Sequence, residues 1–347
     1  MKRVLVYGSG AIGGYLGSRL LHSGNQVVML DRPAMVGEIN KVGFTVDEEN
    51  KVIHVKPRAV SSLADAYALS STYDLILLGL KSYDLPIALN DLAAYDTAGA
   101  TILTVQNGIG IEQPFMETFG DGRILAGSLT TPVSKKGPFH LVVERSGRGL
   151  GLAPTRPGQG IAQWISLFNE AGIETVGLAD YESMKWSKAF LNIVSNASSA
   201  ILDMTPGDVY RDADLFDLEV TMLRETVQVM GALGLEVVNL PGSPARSLAL
   251  AIKHAPRLLL KPILTRLVAG GRGEKMPSFY IDLASGRGKS EVIFHNGAIA
   301  EHGEEADIQV KANRLLNNTL VKLTLGELSR EAFAHNPQRL LAEMDKY

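Results

Sequence analysis

Two hydrophobic patterns divide this chain. Up to about residue 179, short and continuous apolar runs alternate with glycine-rich turns and helical stretches; from Tyr181 onward the apolar positions recur at helical period with few strand signals. Val4-Leu5-Val6-Tyr7 is the first run, and Gly8-Ser9-Gly10-Ala11-Ile12-Gly13 follows it directly, before a helical segment that ends near His22 to Asn25. A second strand, Gln26 to Leu30, ends in Asp31-Arg32. Tyr73 to Leu80 and Ala100 to Val105 are apolar throughout, as a parallel sheet covered on both faces requires. Gly122 to Leu152 reads as further strands forming a mixed edge of that sheet, Ile161 to Ala171 as a helix and Ile173 to Val176 as a last strand. The pattern predicts an α/β chain: an N-terminal Rossmann-type doubly wound parallel sheet over residues 1–179, plus a C-terminal all-helical domain over residues 180–347.

The strand, glycine turn and helix at the start of the chain are the arrangement that receives a dinucleotide. Gly8 permits the tight turn, Gly10 lets a pyrophosphate approach the backbone, and Gly13 lets the helix pack close to the strand. Phosphates then rest on the helix N-terminus, where N–H groups and the positive end of the dipole favour anions. Gly8, Ser9, Gly10, Ala11, Ile12 and Gly13 are therefore cofactor-binding candidates. Asp31-Arg32, about 20 residues on, gives a mixed signal. An acid there holds the 2′-hydroxyl of NAD, and an arginine accommodates the 2′-phosphate of NADP. Our reading favours NADP(H), with Arg32 on the phosphate and Asp31 turned away; NAD is the alternative. Lys81 and Asn107 follow the carboxyl ends of two predicted strands, where ligands of open α/β sheets gather, and both are candidates for the reaction site.

Composition narrows the class. A length of 347 residues fits two domains, and 46% hydrophobic with 20% charged residues is an ordinary globular balance. A net charge of −3 with mixed signs gives no broad basic field, so nucleic acid is not an expected partner. The N-terminal apolar run is too short for a signal-peptide core, and Leu258 to Val268 is interrupted by Lys261, Pro262 and Arg266, so no membrane association is expected. The sequence has no cysteine and its histidines lack ligand spacing, so no metal is expected and a cytoplasmic location fits.

The helical half carries the remaining chemistry. Met184 to Leu202 is read as one buried helix on which Lys188, Asn192 and Asn196 recur at spacings of four, forming a polar stripe. Unpaired burial of such groups costs on the order of 1–3 kcal/mol each, so the stripe should face a cleft. Lys185 lies on nearly the same face, and spacing alone leaves the choice between the two lysines open.

These motifs together resemble the ketopantoate reductase (2-dehydropantoate 2-reductase) family. Its W-x-K-x-x-x-N-x-x-x-N run is present from Trp186 through Lys188 and Asn192 to Asn196. A second segment runs from Ser278 and Asp282 through Gly286-Arg287 to Ser290-Glu291-Val292 and Asn296-Gly297. The resemblance implies Lys188 as general acid and Glu291 as its carboxylate partner. Asn107, Asn192, Asn196 and Ser278 would contact the substrate, Lys81 and Asn107 would assist at the cofactor, and the reaction would lie in a cleft between the domains. Ketopantoate is the first substrate expected; a related opine- or hydroxyacid-type dehydrogenase and a non-catalytic nucleotide sensor are the rivals. Two departures stand out: one extra residue between Asp282 and Glu291, and an insert-like stretch, Leu240 to Met276, with Arg246, Lys253, Arg257, Lys261, Arg266, Arg272 and Lys275. That stretch could reshape the substrate pocket, form a homodimer contact, or remain a solvated amphipathic helix pair.

Overall fold

The computed structural model describes residues 1–95, 99–272 and 275–347. Residues 273 and 274, within the basic stretch, lie outside the described residues, as does the side chain at position 272. The chain forms two compact units, neither continuous in sequence. Unit 1 comprises Met1–Gln106, Ile111–Met184 and Leu240–Ser243; unit 2 comprises Asn107–Gly110, Lys185–Asn239 and Pro244–Tyr347.

Unit 1 begins with β1 (Arg3–Tyr7), α1 (Ala11–His22), β2 (Gln26–Leu30), α2 (Pro33–Val42), β3 (Phe44–Glu48), β4 (Lys51–Val55) and β5 (Arg58–Val60). It continues with α3 (Leu63–Leu69), β6 (Leu75–Leu78), α4 (Leu85–Tyr95), β7 (Thr101–Thr104), α5 (Gln113–Phe119) and β8 (Ile124–Leu129). Then come β9 (Val133–Gly137), β10 (His140–Val143), β11 (Leu150–Pro154), α6 (Ala162–Glu170) and β12 (Thr175–Gly177). Among the described residues the main sheet has eight strands in the order β12-β11-β8-β7-β6-β1-β2-β5, parallel except where β11 runs against β8. Its central strands are apolar because helices cover both faces: every residue of β6 is buried, and Val4, Leu5 and Val6 of β1 are fully so.

The mixed edge is present, but the sequence pattern misplaces part of it. β9 and β10 leave the main sheet and join the β3–β4 hairpin in a second sheet of order β4-β3-β10-β9. This sheet packs on α1: a Cβ on Gly14 would sit 3.0 Å from the Phe44 ring and 3.1 Å from Leu141. Only one of its faces is apolar, with Asp47, Lys136 and His140 meeting on the other. That half-polar alternation hid the hairpin from a search for continuous apolar runs.

Unit 2 is helical. Its elements are α7 (Tyr181–Ile193, which starts in unit 1), α8 (Asn196–Leu202), α9 (Pro206–Arg211), α10 (Ala213–Ala232) and α11 (Ala245–His254). They are followed by α12 (Arg257–Arg272), α13 (Ser278–Ala284), α14 (Asn296–Glu305), α15 (Lys311–Thr324) and α16 (Pro337–Leu341). Phe190, Phe216, Leu223, Leu315 and Leu316 are among the side chains of its core. The predicted single helix from Met184 to Leu202 is in fact two. Ser195 takes a left-handed conformation (φ 53°), and its N–H donates to the buried Glu219 carboxylate at 2.7 Å. Ser198 and Tyr210 donate to the same carboxyl group, so a buried hydrogen-bonded side chain holds the break.

The basic stretch folds as α11 and α12. Arg246 pairs with Glu236 at 3.1 Å and Arg257 with Asp217 at 2.5 Å. Leu258, Leu259, Ile263 and Leu267 of α12 stand exposed. Among the described residues, no helix is long and apolar enough to cross a membrane.

Candidate functional site

In unit 1 the glycine turn is built around backbone contact that leaves no room for side chains. Gly8 has φ +94°, and its N–H donates to Leu30 O at 2.9 Å, tying the end of β1 to the end of β2. A Cβ on Gly13 would lie 2.0 Å from the Gly8 carbonyl oxygen, and one on Gly79 would lie 2.3 Å from that same oxygen. Gly79, one residue beyond β6, is thus a third member of the turn that the sequence reading missed; its signal was a lone glycine at the end of an apolar run. A Cβ on Gly10 meets nothing closer than Gly79 O at 3.7 Å, so its surface side is open. No side chain caps α1, whose first N–H groups have no acceptor within the helix. These residues fit a dinucleotide pyrophosphate: the backbone approach is open, and Ala11 and Ile12 stand at the helix N-terminus that would receive it.

Asp31 does not simply turn away. Its Oδ2 accepts the Ser9 N–H at 2.9 Å and the Ser9 hydroxyl as well, while Oδ1 accepts the Arg32 N–H at 2.7 Å. The carboxylate therefore braces the glycine turn against the end of β2. The Arg32 side chain is 80% exposed, with its Nε 3.9 Å from Asp31 Oδ1. Lys81 is half-buried and opens the 3-10 turn Ser82–Asp84 that follows β6. Gln106 ties the ends of β7 and β6 together, its Nε2 donating to Leu78 O at 2.6 Å and Leu80 O at 3.1 Å.

Asn107, next in sequence, belongs to unit 2. Its segment is pinned to the 3-10 turn Glu291–Phe294: Ile109 N–H donates to Phe294 O at 2.8 Å, and a Cβ on Gly108 would lie 2.6 Å from Phe294 Cβ. Glu291 is buried at the head of that turn, where Ser290 Oγ accepts the Val292 N–H. The Phe279 ring meets His295 edge-on at 5.3 Å and so links this turn to α13.

Lys188 and Asn192 sit one turn apart on α7, both half-buried, whereas Lys185 is buried. Asn196 opens α8 and does not continue α7, because the left-handed Ser195 interrupts the helix. It is buried, and its Nδ2 donates to Asn192 O at 3.1 Å and Ser278 Oγ at 3.3 Å; its Oδ1 accepts the Phe279 N–H at 3.1 Å. Ser278 itself is exposed at the start of α13. Unit 2 thus brings Asn196 and Ser278 into contact and fastens the Asn107 segment to the Glu291 turn. Unit 1 gathers the glycine turn, Asp31 and Arg32. Among the described residues no group of three or more His, Asp or Glu could hold a metal.

The family model "Ketopantoate reductase PanE/ApbA" matches residues 4–150, and its C-terminal counterpart matches residues 180–323. A 2-dehydropantoate 2-reductase of Pyrococcus horikoshii is 29% identical over 320 residues, covering 90% of this chain and 95% of that protein. A PanE/ApbA family ketopantoate reductase from Ralstonia eutropha JMP134 superposes with a TM-score of 0.77 at 25% identity, covering 94% of this chain and 99% of that one. D-mandelate dehydrogenase with NADH and anilino(oxo)acetate shares the fold, with a TM-score of 0.77 at 20% identity over 93% of this chain and 98% of that one. The two family models together span most of the chain, and the chain belongs to the ketopantoate reductase family of keto-group oxidoreductases.

Proposed function

We propose that this protein reduces a small 2-keto acid with NADPH, 2-dehydropantoate first among them. The observation that carries the reading is the contact of Asn196 with Ser278, residues 82 apart in the chain that the family resemblance marks independently as substrate contacts. Gly8, Ser9, Gly10, Ala11, Ile12 and Gly13 would hold the pyrophosphate, Arg32 the 2′-phosphate, and Lys81 and Asn107 the nicotinamide end. Bound NADPH supplies the hydride. Asn107, Asn192, Asn196 and Ser278 orient the keto acid. Lys188 donates a proton to the carbonyl oxygen as charge develops there, and its ammonium also stabilises that charge. Glu291, buried at the head of its turn, favours the protonated lysine against desolvation.

Adding 2-dehydropantoate to the purified protein and NADPH should oxidise the coenzyme with stoichiometric formation of pantoate. A panel of other 2-keto acids, with and without an amine, separates this reading from a hydroxyacid- or opine-type dehydrogenase. No turnover with any of them would defeat it.

Two further parts belong to the reading. The cysteine-free sequence accords with a cytosolic setting. The exposed row Leu259, Ile263 and Leu267 on α12 supports a homodimer, since apolar side chains four apart form a stripe that a second copy can cover. Sedimentation should give a dimer that Ile263→Glu converts to monomer; a monomeric wild-type protein would remove this part.

A further inference from the structure

The sequence offered one cation for the phosphate end of the coenzyme, and the fold supplies a second. β9 pairs antiparallel with β10, and Lys135 stands opposite Leu141. Residues directly opposite in such a pair share a face of the sheet. Leu141 faces α1, its Cδ1 lying 3.1 Å from where a Gly14 Cβ would be, so Lys135 is on the α1 side of this sheet. The next residue, Lys136, is the extra residue of a bulge in this pairing, and its Nζ pairs with Asp47 at 3.3 Å. The two adjacent lysines therefore have different partners.

On the α1 side, Lys135 is in the electrostatic field of Asp31 and Arg32. Although exposed as a residue, its ammonium is desolvated enough to hold its pKa below the usual lysine value; Asp31 opposes that drop and Arg32 reinforces it. Two cations and one carboxylate thus act on one another electrostatically near the end of β2. The carboxylate is already engaged: Oδ2 takes the Ser9 N–H and hydroxyl and Oδ1 takes the Arg32 N–H, with only 14% of the side chain exposed. The Arg32 guanidinium is 80% exposed. A neutral ribose hydroxyl needs one acceptor and has no use for a second cation. A phosphate monoester carrying close to two negative charges suits an arginine fork and an ammonium together.

We propose that Lys135 and Arg32 together form the subsite for the 2′-phosphate of NADPH, with Asp31 as its brace and not a ribose ligand. Lys135 is then a specificity-determining residue; the inference rests on the NADPH reading given above.

The test is steady-state kinetics of keto-acid reduction with NADPH and NADH for the wild type, Lys135→Met, Lys135→Arg and Lys136→Met. The expected result is a wild type that prefers NADPH and a Lys135→Met enzyme whose KM for NADPH rises about tenfold or more, as loss of one charge-assisted contact implies. Its constants with NADH and its kcat should stay put; Lys135→Arg should restore NADPH use and Lys136→Met change nothing. A wild type preferring NADPH whose KM survives Lys135→Met overturns the role of Lys135 and leaves the NADPH reading standing. Equal losses with both coenzymes overturn it too, because a 2′-phosphate contact has no effect on NADH. A wild type preferring NADH removes both.

Discussion

Replacing Lys188 with alanine should lower kcat for keto-acid reduction by about a hundredfold to ten-thousandfold, with the KM for NADPH little changed. The size follows from what the alkoxide needs as hydride arrives: a proton, and positive charge in a site shielded from water. α7 carries two lysines one turn apart, and their surroundings differ. Lys185 is 2% exposed, whereas Lys188 is half-buried on the same turn-to-turn row as Asn192. A solvent-accessible edge is what a proton donor must have to reach substrate and be reprotonated between turnovers. Single-turnover measurement on Lys188→Ala beside Lys185→Met separates loss of the chemical step from loss of binding. An undiminished rate in Lys188→Ala would take the acid role away from that residue.

Gly13→Ala should destabilise the protein by about 3 kcal/mol and weaken coenzyme binding in parallel. The added methyl would lie 2.0 Å from the Gly8 carbonyl oxygen and 3.2 Å from Gly79 Cα, both of them backbone atoms that no rotamer change can move aside. Either α1 backs away from the sheet or the turn opens, and both displace the helix N-terminus meant for the pyrophosphate. The thermal midpoint should fall by about 4 °C for a protein of this size. Gly37→Ala is the control, since nothing lies within 4 Å of its would-be Cβ. Equal midpoints for the two variants would mean that the three glycines do not meet as tightly as described.

What the sequence made legible was whatever depends on local pattern. The glycine turn, the continuous apolar strands and the change to helical period could all be read, because each is written within a few consecutive residues. The site was legible by residue type and less so by geometry. Spacing of four placed Asn196 on one stripe with Lys188 and Asn192, but a left-handed Ser195 held by Glu219, 24 residues away, breaks that helix. A tertiary hydrogen bond decided the matter, and no periodicity contains it. Asp31 was noticed but its bracing of the turn was not foreseen, since its engagement by Ser9, 22 positions earlier, is likewise non-local. Gly79 and Lys135 went unnoticed for the same reason: each matters through a neighbouring strand or helix that only the sheet topology brings near.

The four residues 107–110 have a consequence for anyone wishing to exchange parts among relatives. They are bracketed in sequence by unit 1 but are fastened, through Ile109 and Gly108, to the turn that carries Glu291. A chimaera made at one junction would separate that loop from its anchor, leaving the Phe294 carbonyl without its donor. Transplanting the helical half intact takes five crossovers, or three if Leu240–Ser243 travels with it, so changes at Asn107 and around Glu291 should be inherited together.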